Sequence, residues 1–408
     1  MLGILSRMRI YVESYGCTLN RAETGLYVNR LLSEGAELVQ RPEEADIGVI
    51  GTCVVIRHTE EKMLRRIEEL SSKVRVKVTG CLPAVSAGQL EGGAVEVLKP
   101  REARSLYTGY LDDVEIREAS IFEGIPINQG CTGSCSYCIS RVSRGKLLSR
   151  PVEKIVKQVE MQLERGIREI RLTSLDTAAY GKDTGHRLPE LVAAILRIPK
   201  DFRLRVGMME PKNAGEIAEE LFRTYSDPRV FRFLHLPVQS GDDRVLRDMN
   251  REYTVSDFER IVRMFRERFP DSTLSTDIIC GYHSDDEESF ENTVRLIERT
   301  EPEIINITRF SPRPFTKDFG SKTPPSNVMG RWSRALTELH REISARKMAS
   351  LVGRTEAIIF AERGKQGTTV GRDSAYRPVV VPGEYPLYGE AQVEVVDSTE
   401  TYLVGRVI

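Results

Sequence analysis

Three cysteines on one short loop are the residues best suited to chemistry. The segment GCTGSCSYC places Cys131, Cys135 and Cys138 in C-x3-C-x2-C spacing. Thiolates so spaced can hold three irons of a cube-shaped [4Fe–4S] cluster and leave the fourth iron without a protein ligand. An open coordination position is what lets a metal centre bind and activate a substrate. The competing reading is structural zinc, which takes four ligands, usually from two C-x2-C pairs. No fourth Cys or His follows at a suitable distance. Tyr137, between the last two cysteines, suits a cofactor-facing position or an ordinary core aromatic.

The other cysteines are Cys17, Cys53, Cys81 and Cys280, making seven in 408 residues. A disulfide framework belongs to short secreted chains, and this one is long enough for two or three domains with their own cores. The start, MLGILSRMRIYVESYG, has too short an apolar stretch for a signal-peptide core. No run approaches the ~20 apolar residues of a membrane helix. These features predict a cytoplasmic protein with no membrane partner and with reduced thiols, soft ligands for iron–sulfur clusters or zinc. Hydrophobic residues at 40% and charged residues at 29% exclude a disordered or fibrous chain. A net charge of −1 means that any nucleic-acid-binding surface must be local.

The elements that position these cysteines alternate between strand and helix patterns. RIYVESYG (9–16), DIGVIGTC (46–53) and VRVKVTGC (74–81) read as strands, and each runs into a cysteine. Helical patterns at 20–35 and 58–73 separate them. In a parallel α/β sheet the strand C-terminal ends share one edge, where ligands bind. Cys17, Cys53 and Cys81 thus become neighbours in space, as ligands or as buried structural cysteines. From about residue 121, candidate strands at 121–128, 167–174, 202–209, 230–237, 273–280 and 304–311 alternate with helices. Six such units are fewer than the eight of a closed barrel, so an open, partial barrel is expected. The proline-rich 311–325 reads as an ordered loop, and 327–351 as a helix. The final segment is all-β with Gly and Pro breaks, suiting a small barrel. It carries six Lys and Arg against eight Asp and Glu, so it is not basic. The fold class is α/β, with an N-terminal parallel domain over 1–115, a partial (β/α)6 barrel plus linker helix over 116–350, and a β-barrel over 351–408. Cys280 lies inside an apolar strand and reads as packing.

The cysteine loop, with an aromatic before its third Cys and a partial barrel after it, resembles the radical S-adenosylmethionine enzymes. YGCTLN, GTCVVIRHTEEK, VTGCLP, GCTGSCSYCISRVSRGKLLSRP, LTSLDTAAYG, HLPVQSGDDRVLRDMNR, STDIICG and NITRFSPRPFT together resemble the methylthiotransferases of that group, along nearly the whole chain. The terminal barrel resembles the TRAM domain, an RNA-binding module. The resemblance implies two [4Fe–4S] clusters, a radical cluster on Cys131, Cys135 and Cys138 and an auxiliary one on Cys17, Cys53 and Cys81. It implies S-adenosylmethionine as cofactor, cleaved by one electron to a 5′-deoxyadenosyl radical, with the catalytic work assigned to no residue beyond the cluster ligands. SYGCTLNRAE, LTS-x-DTAAYG and TDIICG are most similar to the archaeal and eukaryotic branch that acts on threonylcarbamoyladenosine at position 37 of tRNA. Implied partners are the tRNA anticodon stem-loop, an electron donor such as ferredoxin or flavodoxin, and a sulfur donor.

Ser174, Arg205, Gln239 and Ser240 fall at or near strand ends, where such barrels hold the cofactor, and Tyr137 joins them as a contact candidate. Arg141, Arg144, Lys146 and Arg150 follow the cluster loop and could make a local basic surface, or a solvated loop and helix start. His235 reads as a satisfied core histidine. Departures from the family pattern are Gly51 for Asn, Leu175 for Gln or Glu, Glu210 for Asn, and a GYHSDDEE turn containing His283. They bear on contacts around the cofactors rather than on the reaction class. Other readings are methylthiolation of isopentenyladenosine in tRNA or of a ribosomal-protein aspartate, and an RNA-binding protein with structural clusters.

Overall fold

A computed structural model describes residues 8–90, 94–98 and 124–408. They divide into two compact units. One comprises Met1–Arg165, Ile170–Ile198 and Ser311–Gly320; the other comprises Gly166–Glu169, Pro199–Phe310 and Ser321–Ile408. The beginning of the expected strand at 121–128 lies outside the described residues.

The first unit opens with a five-stranded parallel sheet. Its strands are β1 (Arg9–Ser14), β2 (Glu37–Leu38), β3 (Ile47–Thr52), β4 (Arg75–Gly80) and β5 (Val95–Val97), in the order β2-β1-β3-β4-β5. Helices α1 (Thr18–Ser33) and α2 (Arg57–Ser71) connect β1 to β2 and β3 to β4. The 3.6-residue spacing of α2 brings Met63, Ile67 and Leu70 onto one face, where they pack with Val76 and Val78 of β4. A separate cluster joins Ile10 and Val49 of the sheet to Val28 of α1. Because these strands are covered by helices, their inner residues are apolar nearly throughout, as the unbroken run IGVIG shows.

After the sheet come β6 (Ile125–Pro126), β7 (Asn128–Gln129), a six-residue helix α4 (Ile139–Arg144) and β8 (Leu148–Ser149); a four-residue helix α3 (Leu82–Val85) precedes β5. Next are α5 (Val152–Glu164), β9 (Glu169–Thr173) and α6 (Leu188–Leu196). β6 pairs in parallel with β9, and β7 pairs antiparallel with β8.

In the second unit the strands are β10 (Arg203–Arg205), β11 (Phe233–His235), β12 (Thr273–Cys280) and β13 (Ile304–Arg309). β11, β12 and β13 form a parallel sheet in sequence order. Helices α7 (Pro211–Thr224), α8 (Asp243–Asp248), α9 (Val255–Arg268) and α10 (Glu287–Thr300) alternate with them. Thr254 with Asp257, and Asp286 with Ser289, form capping boxes that start α9 and α10. β10 and β11 are shorter than their apolar runs suggest. Gly207 and Pro237 break those two runs, and ladder pairing ends before them.

A 24-residue helix α11 (Ser326–Ala349) leads to β14 (Thr355–Arg363), β15 (Thr368–Arg372), β16 (Pro378–Pro382), β17 (Glu390–Ser398) and β18 (Leu403–Val407). These five close into a barrel, β14-β15-β16-β18-β17, with Val379, Val393, Val395 and Leu403 filling it. Alternation of buried and exposed residues along these strands is what closure requires. The chain is thus mixed α/β with parallel sheets and a small terminal all-β barrel, as expected.

Candidate functional site

Strands β1, β3 and β4 lie side by side, and Cys17, Cys53 and Cys81 follow their C-terminal ends. Cys53 and Cys81 come one residue after strands in which Thr52 pairs with Gly80. Cys81 N–H donates to the Thr52 carbonyl at 3.1 Å, holding the two strand exits together. Gly16, with φ of +92°, lets β1 turn close to its neighbour. A Cβ placed there would stand 2.9 Å from Cys53 Cβ and 3.5 Å from its sulfur. Cys17 lies exposed at this edge; surrounding protein, and then the Cys81 and Cys53 thiols, raise its thiol above the usual range, so the three share one electrostatic neighbourhood.

One further residue belongs to this triad. Arg144, at the end of α4 and 1% exposed, points Nε at Cys81 Sγ, 3.4 Å away. Its two other nitrogens bond to the Glu23 carboxylate and to Asn20 Oδ1. Asn20 also donates to the Thr52 carbonyl at 2.9 Å, which fixes the brace to the sheet edge. The positive guanidinium favours the ionised forms of Cys17 and Cys53. Burial therefore corrects the expectation of a basic surface at Arg144, and likewise at Arg150. The latter is 2% exposed, bonded to the Pro126 carbonyl at 2.7 Å and to Gln158 at 2.8 Å. Arg141 and Lys146 remain exposed.

The second triad sits on the loop whose base β7 and β8 close. Gly130, at φ of +74°, packs against the Lys146 backbone so tightly that any Cβ would collide. Cys131 N–H donates to the Gly145 carbonyl at 3.2 Å. Gly133 N–H points at Cys131 Sγ, 3.2 Å away. A Cβ on Gly133 would lie 3.3 Å from the Cys131 sulfur and 3.7 Å from the Cys135 sulfur, so both thiols face the same small space. All three cysteines line a cavity of about 650 Å³. Burial first, and the Asp176 carboxylate second, push the Cys131 thiol up to about 12. A thiol so placed ionises when a metal centre supplies positive charge.

Each triad offers three thiols, the donor set of an iron–sulfur cube with one open iron rather than of four-coordinate structural zinc. Zinc requires sulfurs about 2.3 Å from one centre. A cube instead presents separate irons to separate thiolates, and backbone N–H donors such as that of Gly133 complement the sulfurs.

Ser174, buried at the end of β9, accepts the Asp176 N–H at 2.8 Å. Tyr137 is half-buried on the cysteine loop. In the second unit Ser240 is 2% exposed and accepts the Asp242 N–H at 3.2 Å. Gln239, at φ of +71°, bridges to Ile278 by its backbone. The Arg205 guanidinium lies over the rings of Phe233 and Tyr376, at 4.6 and 4.9 Å. His235 contacts Asp277 at 2.9 Å. Cys280 is 3% exposed and its thiol is pushed up to about 12 by burial, consistent with packing.

Three of the four departures have local causes. Thr24 Oγ1 of α1 occupies the space a side chain at Gly51 would need. Glu210 caps α7 by accepting the Asn213 N–H at 3.2 Å and pairs with Arg251 at 3.6 Å. In the GYHSDDEE turn, Asp285 accepts the N–H groups of Gly281 and Tyr282 at 2.9 and 2.8 Å, and His283 stacks on Tyr282. Nothing in the structure explains Leu175.

Comparison with known proteins assigns these parts. Residues 9–97 match the Uncharacterized protein family UPF0004, 125–297 the Radical SAM superfamily, and 349–408 the TRAM domain. The chain is 36% identical to a probable threonylcarbamoyladenosine tRNA methylthiotransferase of Methanothermobacter thermautotrophicus, over 98% of this chain and 99% of that one. The chain belongs to this methylthiotransferase family. A Xenopus laevis threonylcarbamoyladenosine tRNA methylthiotransferase is 30% identical, with 98% of this chain and 77% of that one covered. Among solved structures, a radical S-adenosylmethionine methyltransferase from Kitasatospora setae shares the fold, with a TM-score of 0.56 at 13% identity; 86% of this chain and 80% of that chain are covered. No helix among the described residues of this methylthiotransferase is long and apolar enough to cross a membrane.

Proposed function

We propose that this chain adds a methylthio group to C2 of N6-threonylcarbamoyladenosine at position 37 of tRNA. The observation that carries the reading is the pair of cysteine triads, each one ligand short of four. One stands at the edge of a parallel sheet and the other on a loop lining a cavity. When bound, S-adenosylmethionine would supply the methyl group and the radical, and two [4Fe–4S] clusters would supply the electron and the place where the sulfur is carried.

The protein's part is to bind, orient and shield. Cys131, Cys135 and Cys138 hold one centre, and Gly133 N–H donates toward the Cys131 sulfur. Cys17, Cys53 and Cys81 hold the other, with Arg144 donating to the Cys81 sulfur. Tyr137, Ser174, Arg205, Gln239 and Ser240 are the positions assigned to S-adenosylmethionine. Ser174 lies buried beside Asp176, whose charge reaches Cys131, which supports its place near that centre. A target C–H on an adenine ring lacks the acidity that a general base would need, so catalysis rests on positioning the ring and excluding water. Ferredoxin or flavodoxin as electron donor, a separate sulfur donor, and a cytoplasmic location complete the reading, with domain divisions near residues 115 and 350.

The deciding experiment is anaerobic turnover of the reconstituted chain with a stem-loop carrying threonylcarbamoyladenosine, read by mass spectrometry. The expected result is a gain of one methylthio group on that nucleoside. No gain there, with modification of an isopentenyladenosine stem-loop or a ribosomal-protein aspartate instead, overturns the substrate assignment.

A further inference from the structure

Phe315 lines the cavity that holds Cys131, Cys135 and Cys138, yet it is 69% exposed. Its φ is +66°, a left-handed conformation that glycine adopts easily and a bulky residue rarely does. Backbone strain of this kind persists where the surroundings enforce it. Here both flanks are fixed. Thr316 Oγ1 donates to the Arg313 carbonyl at 2.6 Å, and buried Arg313 pairs with Glu60. On the other side, Lys317 N–H donates to the Ser136 carbonyl at 3.0 Å, and Ser136 Oγ donates to Asp318 at 2.8 Å. Ser136 lies between two cysteines of the cluster loop, so the backbone that carries Phe315 is held in register with that loop.

The charge around the ring is one-sided. Arg141, Lys146, Lys182 and Lys317 line the same cavity and are all exposed, against one acidic residue, Asp183. An apolar ring set in a concave wall among four cations matches a polyanion that carries flat apolar faces. Unpaired RNA bases are that partner: they stack on aromatic side chains while cations follow the backbone.

We infer that Phe315 is a base-stacking platform for the single-stranded loop of the substrate RNA, with Arg141, Lys146, Lys182 and Lys317 as its phosphate-facing rim. This rests on the proposed tRNA substrate and names the residues that would receive the RNA.

The test measures affinity of the full, anaerobically reconstituted chain for a threonylcarbamoyladenosine stem-loop with 2-aminopurine beside the modified base. Phe315→Ala and Phe315→Gly are each expected to weaken binding about 5- to 150-fold and to abolish the quenching of 2-aminopurine by stacking. Phe315→Trp is expected to keep both. Glycine relieves the left-handed strain, so a loss that appears in alanine and vanishes in glycine reports folding and overturns the platform. Loss in the tryptophan variant as well also counts against stacking. Lys146→Ala and Lys317→Ala should each reduce the salt dependence of binding by roughly one phosphate contact, without altering quenching. If the unaltered chain does not bind the stem-loop, the tRNA reading itself fails. If it binds and both small variants bind equally, only the platform fails.

Discussion

Replacing Arg144 by methionine should open the sheet edge that carries Cys17, Cys53 and Cys81. The guanidinium is 1% exposed and serves three partners at once: Glu23, Asn20 and Cys81. Methionine fills much of its volume but removes the counter-charge that Arg144 gives the Glu23 carboxylate, itself 9% exposed. Breaking a buried ion pair by removing one partner costs about 3–5 kcal/mol, mostly from the charge left behind. At about 1.4 kcal/mol per tenfold, opening should become at least ~100-fold more frequent. Hydrogen exchange by mass spectrometry reads such local opening without requiring the chain to unfold in one step. Amides in Thr18–Ser33 should exchange faster in Arg144→Met, while those in Thr273–Cys280 of the other unit should not change. Adding Glu23→Gln removes that carboxylate charge and should restore a large part of the protection. Arg144→Lys keeps the charge but cannot fork to two acceptors, so it should fall between. Exchange in Thr18–Ser33 within threefold of the unaltered protein would refute the argument. Equal acceleration in the single and double variants would refute the charge as its cause.

Other outcomes follow from individual contacts. Burial raises Asp285 to about 6 despite the N–H groups of Gly281 and Tyr282 that bond it. Its folded pKa lies above the unfolded value, so the folded state loses stability as pH rises from about 4 to 6. The loss is up to about 3 kcal/mol. Urea unfolding followed by the single tryptophan, Trp332, should show that slope, and Asp285→Asn should flatten it. Cys280→Ala should leave iron content unchanged, whereas alanine at Cys131, Cys135 and Cys138 together should halve it, from about eight to about four per chain; equal loss in both would contradict the packing role. Gly51→Asn, the residue usual in the family, should destabilise this chain because Thr24 fills the site. Thr24→Ala should recover part of that loss in a thermal melt.

Much of the sheet edge was legible because strand period and cysteine position coincide. Each strand pattern, apolar in β3 and alternating in β4, ends within three residues of a cysteine, so the pattern marks both the strand and the place of its thiol. The cysteine loop stood out by its spacing and its place before a run of βα units, and its three cysteines line one cavity. Arg144 was not legible. Nothing local distinguishes it from Arg141, three residues earlier on the same helix, yet one is buried on Cys81 and the other lines the cavity. That difference is set by α1, whose Asn20 and Glu23 lie more than 120 residues away in sequence. Phe315 was equally hidden, because a left-handed φ on phenylalanine has no sequence signal. The short strands β10 and β11 show the opposite error. Their apolar runs continue past the point where pairing ends, since burial alone does not make a ladder.

The charge balance gains meaning once its positions are known. In the terminal barrel, Arg372 pairs with Glu362, Arg377 with Asp373 and Arg406 with Glu394, so its own acids answer three of its six cations. That leaves little net field for attracting a phosphate backbone at a distance. In the first unit, four exposed cations and one acid line the cavity that holds the three cysteines. A long polyanion bound chiefly by charge would show a steep salt dependence, about 0.7 per phosphate for a single strand. Four such cations together supply a slope of about 2.8. On the proposed placement of the unpaired loop at Phe315, stacking adds an attraction that salt does not screen, and it acts on unpaired bases rather than on the duplex regions that make up most of a tRNA.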